Sequence, residues 1–252
     1  MKAYYESGGI TIYHGDCREI LALLPANSVD LVLTDPPYSR YVHQRSMSGS
    51  RKTYGTSKDI GFEPMNDGLL RLVAEQFGRL CSQWVLVFSD VESAPKWRGA
   101  LEAGGLEYIR TGAWVKIAPT PQFSGDRPAV GFEAVTIAHP KGPKRWNGGG
   151  RPAIWTFGSH GGEMDARIHP TEKPLPMFRQ MVGDFSNTGE TVLDPFMGSG
   201  TTLVAAKQLG RRAIGIEIEE KYCKMAVKRL AQEMLPLSPA PASAAEVTAL
   251  FA

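Results

Sequence analysis

The sequence predicts an α/β protein with a mostly parallel β-sheet that is covered by helices on both faces. Short, nearly continuous apolar runs, such as 31–33 and 84–88, alternate with longer stretches of helical periodicity, and strands buried on both faces of a sheet have this composition. The chain has 252 residues and 42% hydrophobic content, which suffice for one sizeable core. We therefore expect one main domain of alternating strands and helices.

The individual elements follow from apolar periodicity and from the turn residues between the runs. The stretch 68–81 has the pattern of an amphipathic helix, since Leu69, Val73 and Phe77 recur every four residues. The tail 236–252 is rich in Pro, Ala and Ser and is predicted to be loosely ordered. The predicted strands cover 10–13, 31–33, 84–88, 108–116, 133–138, 191–193 and 212–218, and the predicted helices cover 18–24, 68–81, 95–103, 175–185, 201–209 and 220–234.

Composition excludes several classes of protein. No apolar stretch of about eighteen residues exists, and the amino terminus lacks the apolar core of a secretory signal. We therefore expect a soluble, cytoplasmic protein with no membrane partner. The three cysteines, Cys17, Cys81 and Cys223, lie far apart and form no Cys-x-x-Cys pair, so the sequence predicts neither a disulfide framework nor a metal site.

The charge distribution indicates a polyanionic partner. The net charge is only +2, but residues 39–58 and 139–151 together hold nine of the 28 basic residues and no acid. Solvated surface loops would explain either window alone. The interleaved Tyr41, Tyr54 and Trp146 favour nucleic acid, because cations bind phosphates and rings stack on bases. The candidate nucleic-acid contacts are Arg40, Arg45, Arg51, Lys52, Lys141, Lys144 and Arg145.

A glycine-rich turn between a strand and a helix predicts a nucleotide-type cofactor site. The run 191–193 is followed by Asp194 and the turn 195–200, and a helix opens at Thr201. Glycines let backbone amides and a helix N-terminus approach a ligand closely. Glu217 ends the next predicted strand, 23 residues after Asp194, where a carboxylate can accept hydrogen bonds from ribose hydroxyls. A tight turn and an unrelated surface acid would explain the same residues.

A stiff acidic segment, Asp35-Pro36-Pro37-Tyr38, follows the predicted strand 31–33 and predicts a clamp for a planar amine. The two prolines remove backbone donors and fix the chain direction, which leaves carbonyls exposed. The Asp35 carboxylate and the Pro36 carbonyl are acceptors that match the two hydrogens of an exocyclic amine, and Tyr38 can stack on the ring that bears it. An ordinary turn explains the prolines but neither the acid nor the aromatic residue.

These motifs resemble those of the amino-group DNA methyltransferases that use S-adenosylmethionine. The resemblance rests on Asp-Pro-Pro-Tyr at 35–38, Asp-Pro-Phe-Met-Gly-Ser-Gly-Thr-Thr at 194–202, Gly-Asp-Cys at 15–17 and His-Pro-Thr-Glu-Lys-Pro at 169–174. Because the amine motif precedes the glycine loop, the chain is similar to the beta group of that family, whose order is circularly permuted. The resemblance implies a Rossmann-like, seven-stranded, mostly parallel sheet with one antiparallel strand.

The resemblance also implies roles for single residues around the cofactor. Phe196 and the turn 198–200 would pack near it, and Glu217 would bind its ribose. Asp16, with the backbone of Cys17, would address its adenine ring. Capping of the following helix by Asp16 and a small core residue at Cys17 are the plain structural alternatives.

Lys173 is implied to lie near the methionine carboxylate, together with Thr201 and Thr202, although a solvated Lys173 is the plain alternative. The implied catalytic residues are Asp35, Pro36, Pro37 and Tyr38, and the implied cofactor-binding residues are Asp16, Cys17, Asp35, Lys173, Asp194, Phe196, Gly198, Ser199, Gly200, Thr201, Thr202 and Glu217.

Asp35 favours adenine-N6 methylation, because family members that methylate the cytosine amino group more often carry Ser at this position. The amine would attack the methyl group directly, and the base would leave the duplex to reach it. Cytosine amino-methylation stays open as an alternative, and so does methylation of an RNA base or a glutamine amide. A non-catalytic DNA-binding subunit that kept the fold would predict damaged motifs, but Asp35, Pro36, Tyr38, Gly198 and Glu217 are all present.

DNA recognition is implied to lie between the two motifs. The resemblance implies a catalytic domain over 1–235 with short recognition insertions near 39–62 and 139–168. Insertions this short predict a short recognition sequence or weak selectivity on double-stranded DNA, with phosphate contacts supplying most of the affinity. A homodimer and a partner restriction nuclease are compatible with the family, but no segment of the chain identifies either.

Overall fold

In the part of the chain that the structure describes, the strands form one nine-stranded sheet with helices packed on it. The computed structural model describes residues 2–37, 65–117, 119, 125–158 and 173–232. None of the helices in these ranges is long and apolar enough to cross a membrane. Numbered in chain order, the strands are β1 (Tyr5–Ser7), β2 (Ile10–His14), β3 (Val29–Thr34), β4 (Cys81–Ser89), β5 (Glu107–Ile117), β6 (Phe132–His139), β7 (Ile154–Gly158), β8 (Thr191–Asp194) and β9 (Arg212–Glu217), and the helices are α1 (Cys17–Leu23), α2 (Asp67–Leu80), α3 (Ala94–Ala103), α4 (Leu175–Phe185), α5 (Thr201–Gln208) and α6 (Glu220–Ala231).

The sheet is mostly parallel, as predicted. Its spatial order is β1-β2-β9-β8-β3-β4-β6-β5-β7, and β1 and β6 run opposite to the other seven strands. The seven strands from β2 to β5 in this order form the expected sheet, with β6 as its antiparallel member. The α/β prediction is therefore confirmed, but the strand count is nine rather than seven.

The two additional strands, β1 and β7, lie at the sheet edges. β1 has three half-buried or exposed residues and pairs with β2 through a hairpin at Gly8 and Gly9. β7 pairs in parallel with β5 and lies inside the stretch 139–168, which was predicted to be a recognition insertion. Neither strand contains a long apolar run, which is why apolar periodicity did not reveal them.

Both faces of the sheet are covered. Residues of α1, α2 and α3 pack together on one face, and residues of α4, α5 and α6 pack on the other. β4 shows why, since Leu86 and Phe88 pack on the face covered by α4, α5 and α6, while Val85 and Val87 pack on the face covered by α1, α2 and α3. Each of these four side chains is fully buried, and burial of such a side chain contributes about 1.5–3 kcal/mol.

The order in which successive strands are added to the sheet reverses between β3 and β8. These two strands are neighbours, but β3 is followed by β4 on one side and β8 by β9 on the other. The strand ends diverge at such a switch point, so ligands bind there in open α/β sheets, at the carboxyl ends of the strands. Asp35 directly follows β3, and Asp194 ends β8.

Candidate active site

The candidate site lies along the carboxyl edge of the parallel strands. Following the sheet order, this edge carries Asp16 after β2, Glu217 at the end of β9, Asp194 at the end of β8 and Asp35 after β3. The topology therefore brings together two motifs that are far apart in the sequence. Thr34, the last residue of β3, joins them directly, because its Oγ1 donates to Asp194 Oδ1 at 2.7 Å.

The Asp194 carboxylate is the buried centre of this junction. Besides Thr34, it accepts hydrogen bonds from the Phe196 amide at 3.1 Å and from Thr202 Oγ1 at 2.5 Å. Burial raises the pKa of this carboxyl to about 6, although the three hydrogen bonds oppose the shift. Asp194 thus fixes the glycine turn and the first turn of α5 against the end of β3.

We expect the Asp194→Asn variant to lose a pH dependence of stability. The folded-state pKa of about 6 lies above the ordinary 3.8, so the native protein binds this proton more tightly than the unfolded chain. The free energy of unfolding therefore falls as pH rises from about 4 to 6, by roughly 3 kcal/mol from this group. Urea unfolding across this range should show that slope in the wild type and a smaller one in the variant. Identical slopes would contradict the assignment.

The glycine turn after Asp194 is shaped for close approach. Gly198 has φ of +50°, and among the described residues no atom beyond its two chain neighbours lies within 4 Å of the position that a Cβ would take there. Its amide donates to Glu217 Oε2 at 3.0 Å, and the Glu219 amide donates to Glu217 Oε1 at 2.8 Å. Burial is the main reason why the pKa of Glu217 is raised. The turn thus has an open face beside a fixed carboxylate, which fits a ribose-bearing cofactor such as S-adenosylmethionine.

Asp16 lies next to the Glu217 carboxylate because β2 and β9 are paired. His14 is in register with Glu217, and the Gly15 amide donates to the Glu217 carbonyl at 2.9 Å. Asp16 caps α1 and binds the Arg18 guanidinium, and this hydrogen bond is the main cause of the lowered pKa of Asp16. The Asp16 side chain is 21% exposed, so capping leaves part of it available to a ligand. Cys17 begins α1 and is buried, which raises the pKa of its thiol to about 12.

The side chains of Thr201 and Thr202 are engaged within the protein. The Thr202 hydroxyl binds Asp194, whereas Thr201 Oγ1 accepts from Arg229 Nη1 at 3.1 Å. Arg229, on α6, also donates to the carbonyl and hydroxyl oxygens of Ser199. Arg229 therefore ties α6 to the glycine turn. No sequence pattern identifies this residue, since an arginine on an amphipathic helix is ordinary.

The acidic segment after β3 lies beside an open cleft. Asp35 is half-buried and Pro36 is buried. The cleft is shallow and is lined partly by Pro36, Pro37, Phe88 and Trp97, whose flat apolar surfaces suit contact with a planar ligand. Tyr38, the predicted stacking residue, lies outside the described residues.

Asp35 is bound by a lysine that also binds a second acid. Lys173 Nζ lies 2.8 Å from Asp35 Oδ2 and 2.8 Å from Glu133 Oε2. Glu133 Oε1 lies 2.7 Å from Lys116 Nζ. Glu133 and Lys116 were not predicted from the sequence, although an acid near the start of an otherwise buried strand was a usable signal. The structure thus places Lys173 beside Asp35, and its implied contact with the methionine carboxylate stays a prediction.

The basic stretch 139–151 lies at the opposite edge of the sheet. Because β6 is antiparallel, it ends at the amino edge of the parallel strands, and the stretch begins there. Lys144 pairs with Glu107 at 2.6 Å, and Arg145 pairs with Glu190 at 2.5 Å. The window holds no acid in the sequence, but distant segments supply acids to it in the folded protein. DNA contacts by Lys141, Lys144 and Arg145 stay predictions.

The other predicted DNA contacts, Arg40, Arg45, Arg51 and Lys52, lie outside the described residues, as does the whole stretch 159–172. Their roles stay predictions.

Similarity to known proteins is consistent with this geometry. A family model described as DNA methylase matches residues 139–228. A putative methylase, YubD of Escherichia coli (strain K12), is 30% identical over 230 residues, which are 86% of this chain and 88% of that protein. The DNA adenine methyltransferase YhdJ of the same organism is 30% identical over 252 residues, covering 87% of this chain and 82% of YhdJ.

Two solved structures share the fold. The M1.HpyAVI complex with SAM has a TM-score of 0.66 and 27% identity, covering 88% of this chain and 99% of that chain. The PvuII DNA methyltransferase, which is cytosine-N4-specific, has a TM-score of 0.71 but 15% identity, covering 99% of this chain and 94% of that chain. At 15% identity, the similarity to the PvuII enzyme shows the fold alone.

Proposed function

Since the chain belongs to the DNA methylase family, whose members methylate DNA from S-adenosylmethionine, we propose that it methylates the N6 amine of adenine in double-stranded DNA. The observation that carries this proposal is that Asp35 and Pro36 follow β3 at the switch point, where the preceding Thr34 binds Asp194 at the start of the glycine turn. An amine held there would lie between the end of β3 and the cofactor-binding edge of the sheet.

Asp35 and the Pro36 carbonyl supply the chemistry that an aromatic amine needs. The nitrogen lone pair of adenine N6 is delocalised into the ring, so two acceptors on its hydrogens return electron density to the nitrogen as it becomes tetrahedral. Pro36 and Pro37 fix the direction in which these acceptors point. No covalent intermediate with the protein is required, and the target base must leave the duplex.

The residues proposed to hold S-adenosylmethionine are those around the glycine turn. Glu217 would accept from the ribose hydroxyls, Asp16 would bind the adenine amine, and Phe196 with the 198–200 turn would pack along the ligand. When bound, S-adenosylmethionine supplies the electrophilic methyl group. Asp194 and Arg229 would keep this surface rigid, because both are bonded to the turn.

Two observations favour adenine over cytosine. Asp occupies position 35, where the cytosine amino-methyltransferases more often carry Ser. In addition, the relative YhdJ is a DNA adenine methyltransferase. The likeness to the cytosine-N4-specific PvuII enzyme makes N4-methylcytosine the second candidate product.

Mass spectrometry of nucleosides from DNA methylated by the purified protein tests the product directly. We expect N6-methyladenine to appear and N4-methylcytosine to stay at the level of DNA incubated without protein. N4-methylcytosine as the product would overturn the adenine assignment. The absence of both methylated nucleosides, under conditions where S-adenosylmethionine binds, would contradict the proposed activity.

Nucleotide-resolution mapping of the same DNA tests the recognition prediction. The described chain has few elements beyond the sheet and its helices, so we expect methylation at a short or loosely read sequence. Methylation confined to a long, strictly read site would contradict this expectation, because each base read needs its own contacts.

A further inference from the structure

Four alternating charges form a continuous chain that ends at the amine clamp. The order is Lys116, Glu133, Lys173 and Asp35, and the successive distances between charged atoms are 2.7, 2.8 and 2.8 Å. Lys116 lies on β5 and Glu133 on β6, while Lys173 precedes α4. Because β6 is antiparallel, its first residues reach the catalytic edge, where Glu133 meets Lys173.

The middle pair of this chain is largely removed from water. The Lys173 side chain is 10% exposed and that of Glu133 is 11% exposed. Burial alone would lower the pKa of Lys173, but Asp35 and Glu133 outweigh it and the pKa is raised. Burial would raise the pKa of Glu133, but Lys173 and Lys116 lower it to about 2. The ionised state of Lys173 and that of Glu133 therefore depend on the charges of their neighbours.

Aromatic rings confine the ammonium of Lys173 further. Its Nζ lies 5.5 Å from the centre of the Phe88 ring and 5.4 Å from that of Trp114, close enough for cation–π attraction. Trp114 is in register with Glu133 across β5 and β6. The lysine head is therefore held by two carboxylates and two ring faces.

We propose that Glu133 is a positioning residue for methyl transfer, which holds the Lys173 ammonium against Asp35 and thereby fixes the carboxylate that receives the target amine. Asp35 lies on the loop after β3, whereas Glu133 lies on a strand of the sheet, so the sheet becomes the rigid support for the clamp. This inference rests on the proposed role of Asp35.

The reason for two acids on one lysine is geometric and electrostatic. A lysine side chain has a long flexible stem, and an ion pair with Asp35 alone would leave it several conformations. A second carboxylate at 2.8 Å, itself anchored by Lys116, selects one of them. Without the Glu133 charge, the buried ammonium has less compensation, so deprotonation of Lys173 becomes easier.

The Glu133→Gln variant tests the proposal, because glutamine keeps the shape and removes the charge. We expect kcat for DNA methylation to fall roughly 10- to 100-fold, with the calorimetric affinity for S-adenosylmethionine unchanged within about threefold. The basic limb of the pH profile of kcat should move to lower pH. Glu107→Gln is the matched control, since Glu107 pairs with Lys144 at the opposite edge, and its kcat should equal that of the wild type.

Labelling of Lys173 with acetic anhydride gives a readout that needs no activity. An amine reacts when it is deprotonated, so a pKa lowered by one unit increases the labelling rate about tenfold at a pH below the pKa. Mass spectrometry should show faster labelling of Lys173 in Glu133→Gln and no change in Glu107→Gln.

The outcomes separate this inference from the proposed function. An inactive Asp35→Asn variant with wild-type kcat in Glu133→Gln would overturn the role of Glu133 alone, and an Asp35→Asn variant with the wild-type rate would overturn the clamp at Asp35. Wild-type protein that forms no N6-methyladenine would overturn the proposed function. Weaker binding of S-adenosylmethionine with unchanged kcat in Glu133→Gln would mean that Lys173 serves the cofactor, and would also overturn the proposal. If Glu133→Gln does not fold, Lys116→Gln loosens the same chain at its other end, where the side chain is more exposed than that of Glu133, and should lower kcat several-fold; wild-type kcat there would refute the role of Glu133.

Discussion

Replacement of Asp35 by asparagine is expected to lower kcat for DNA methylation by about three orders of magnitude, with little change in the affinity for S-adenosylmethionine. Asparagine keeps the shape of the side chain, but it removes the charge that stabilises the amine as the nitrogen becomes positive, and loss of one such group costs about 10²–10³ in rate. The Lys173 ammonium also loses one of its two carboxylates, which makes the clamp less rigid and increases the loss.

Asp30→Asn is the matched control for this experiment. Asp30 lies on the same strand, β3, but near its other end, where it accepts hydrogen bonds from Ser82 Oγ and the Thr191 amide. Its replacement should leave kcat unchanged, apart from effects on stability. Single-turnover rates at saturating S-adenosylmethionine measure the effect on chemistry, and calorimetry measures the cofactor affinity. An Asp35→Asn variant with the wild-type rate would exclude the proposed clamp.

Much of this site could be predicted because its signals are local in the sequence. A strand that ends in an acid and is followed by prolines or glycines identifies the strand end and the functional group together, as at Asp35 and Asp194. Helices such as α4 (Leu175–Phe185) followed from apolar periodicity with the predicted bounds. The parallel arrangement of strands then places all such ends at one edge, so local motifs were enough to outline the candidate site.

The parts that could not be predicted depend on contacts between distant segments. Lys144 occurs in a window without acids, yet it pairs with Glu107, which lies 37 positions away. Glu133 resembles an ordinary strand residue until β6 is known to be antiparallel, because only this direction brings its first residues to the catalytic edge. Charge patterns along the chain describe composition, whereas ion pairs depend on topology.

The second large effect is expected at Gly200, where helix α5 begins. Gly200 has φ of +84°, and a Cβ built on it would lie 2.8 Å from Ala226 Cβ on α6. An L-residue in this conformation costs about 1–2 kcal/mol, and forcing a methyl group against a packed helix costs about 1–3 kcal/mol more. Because Ala226 is fully buried, α6 must shift, and this shift also moves Arg229 away from the turn.

The Gly200→Ala variant should therefore lose roughly 2–5 kcal/mol in the free energy of unfolding and bind S-adenosylmethionine much more weakly. Gly8→Ala is the matched control, since Gly8 has φ of +56° and no atom lies within 4 Å of its Cβ position. This control carries the backbone strain without the steric clash, so it should lose about 1 kcal/mol and keep the wild-type cofactor affinity. Urea unfolding and calorimetry on both variants measure the difference, which isolates the contact between the glycine turn and α6. Equal losses in the two variants would mean that the turn yields without moving α6, and that close packing between them is not what shapes the cofactor site.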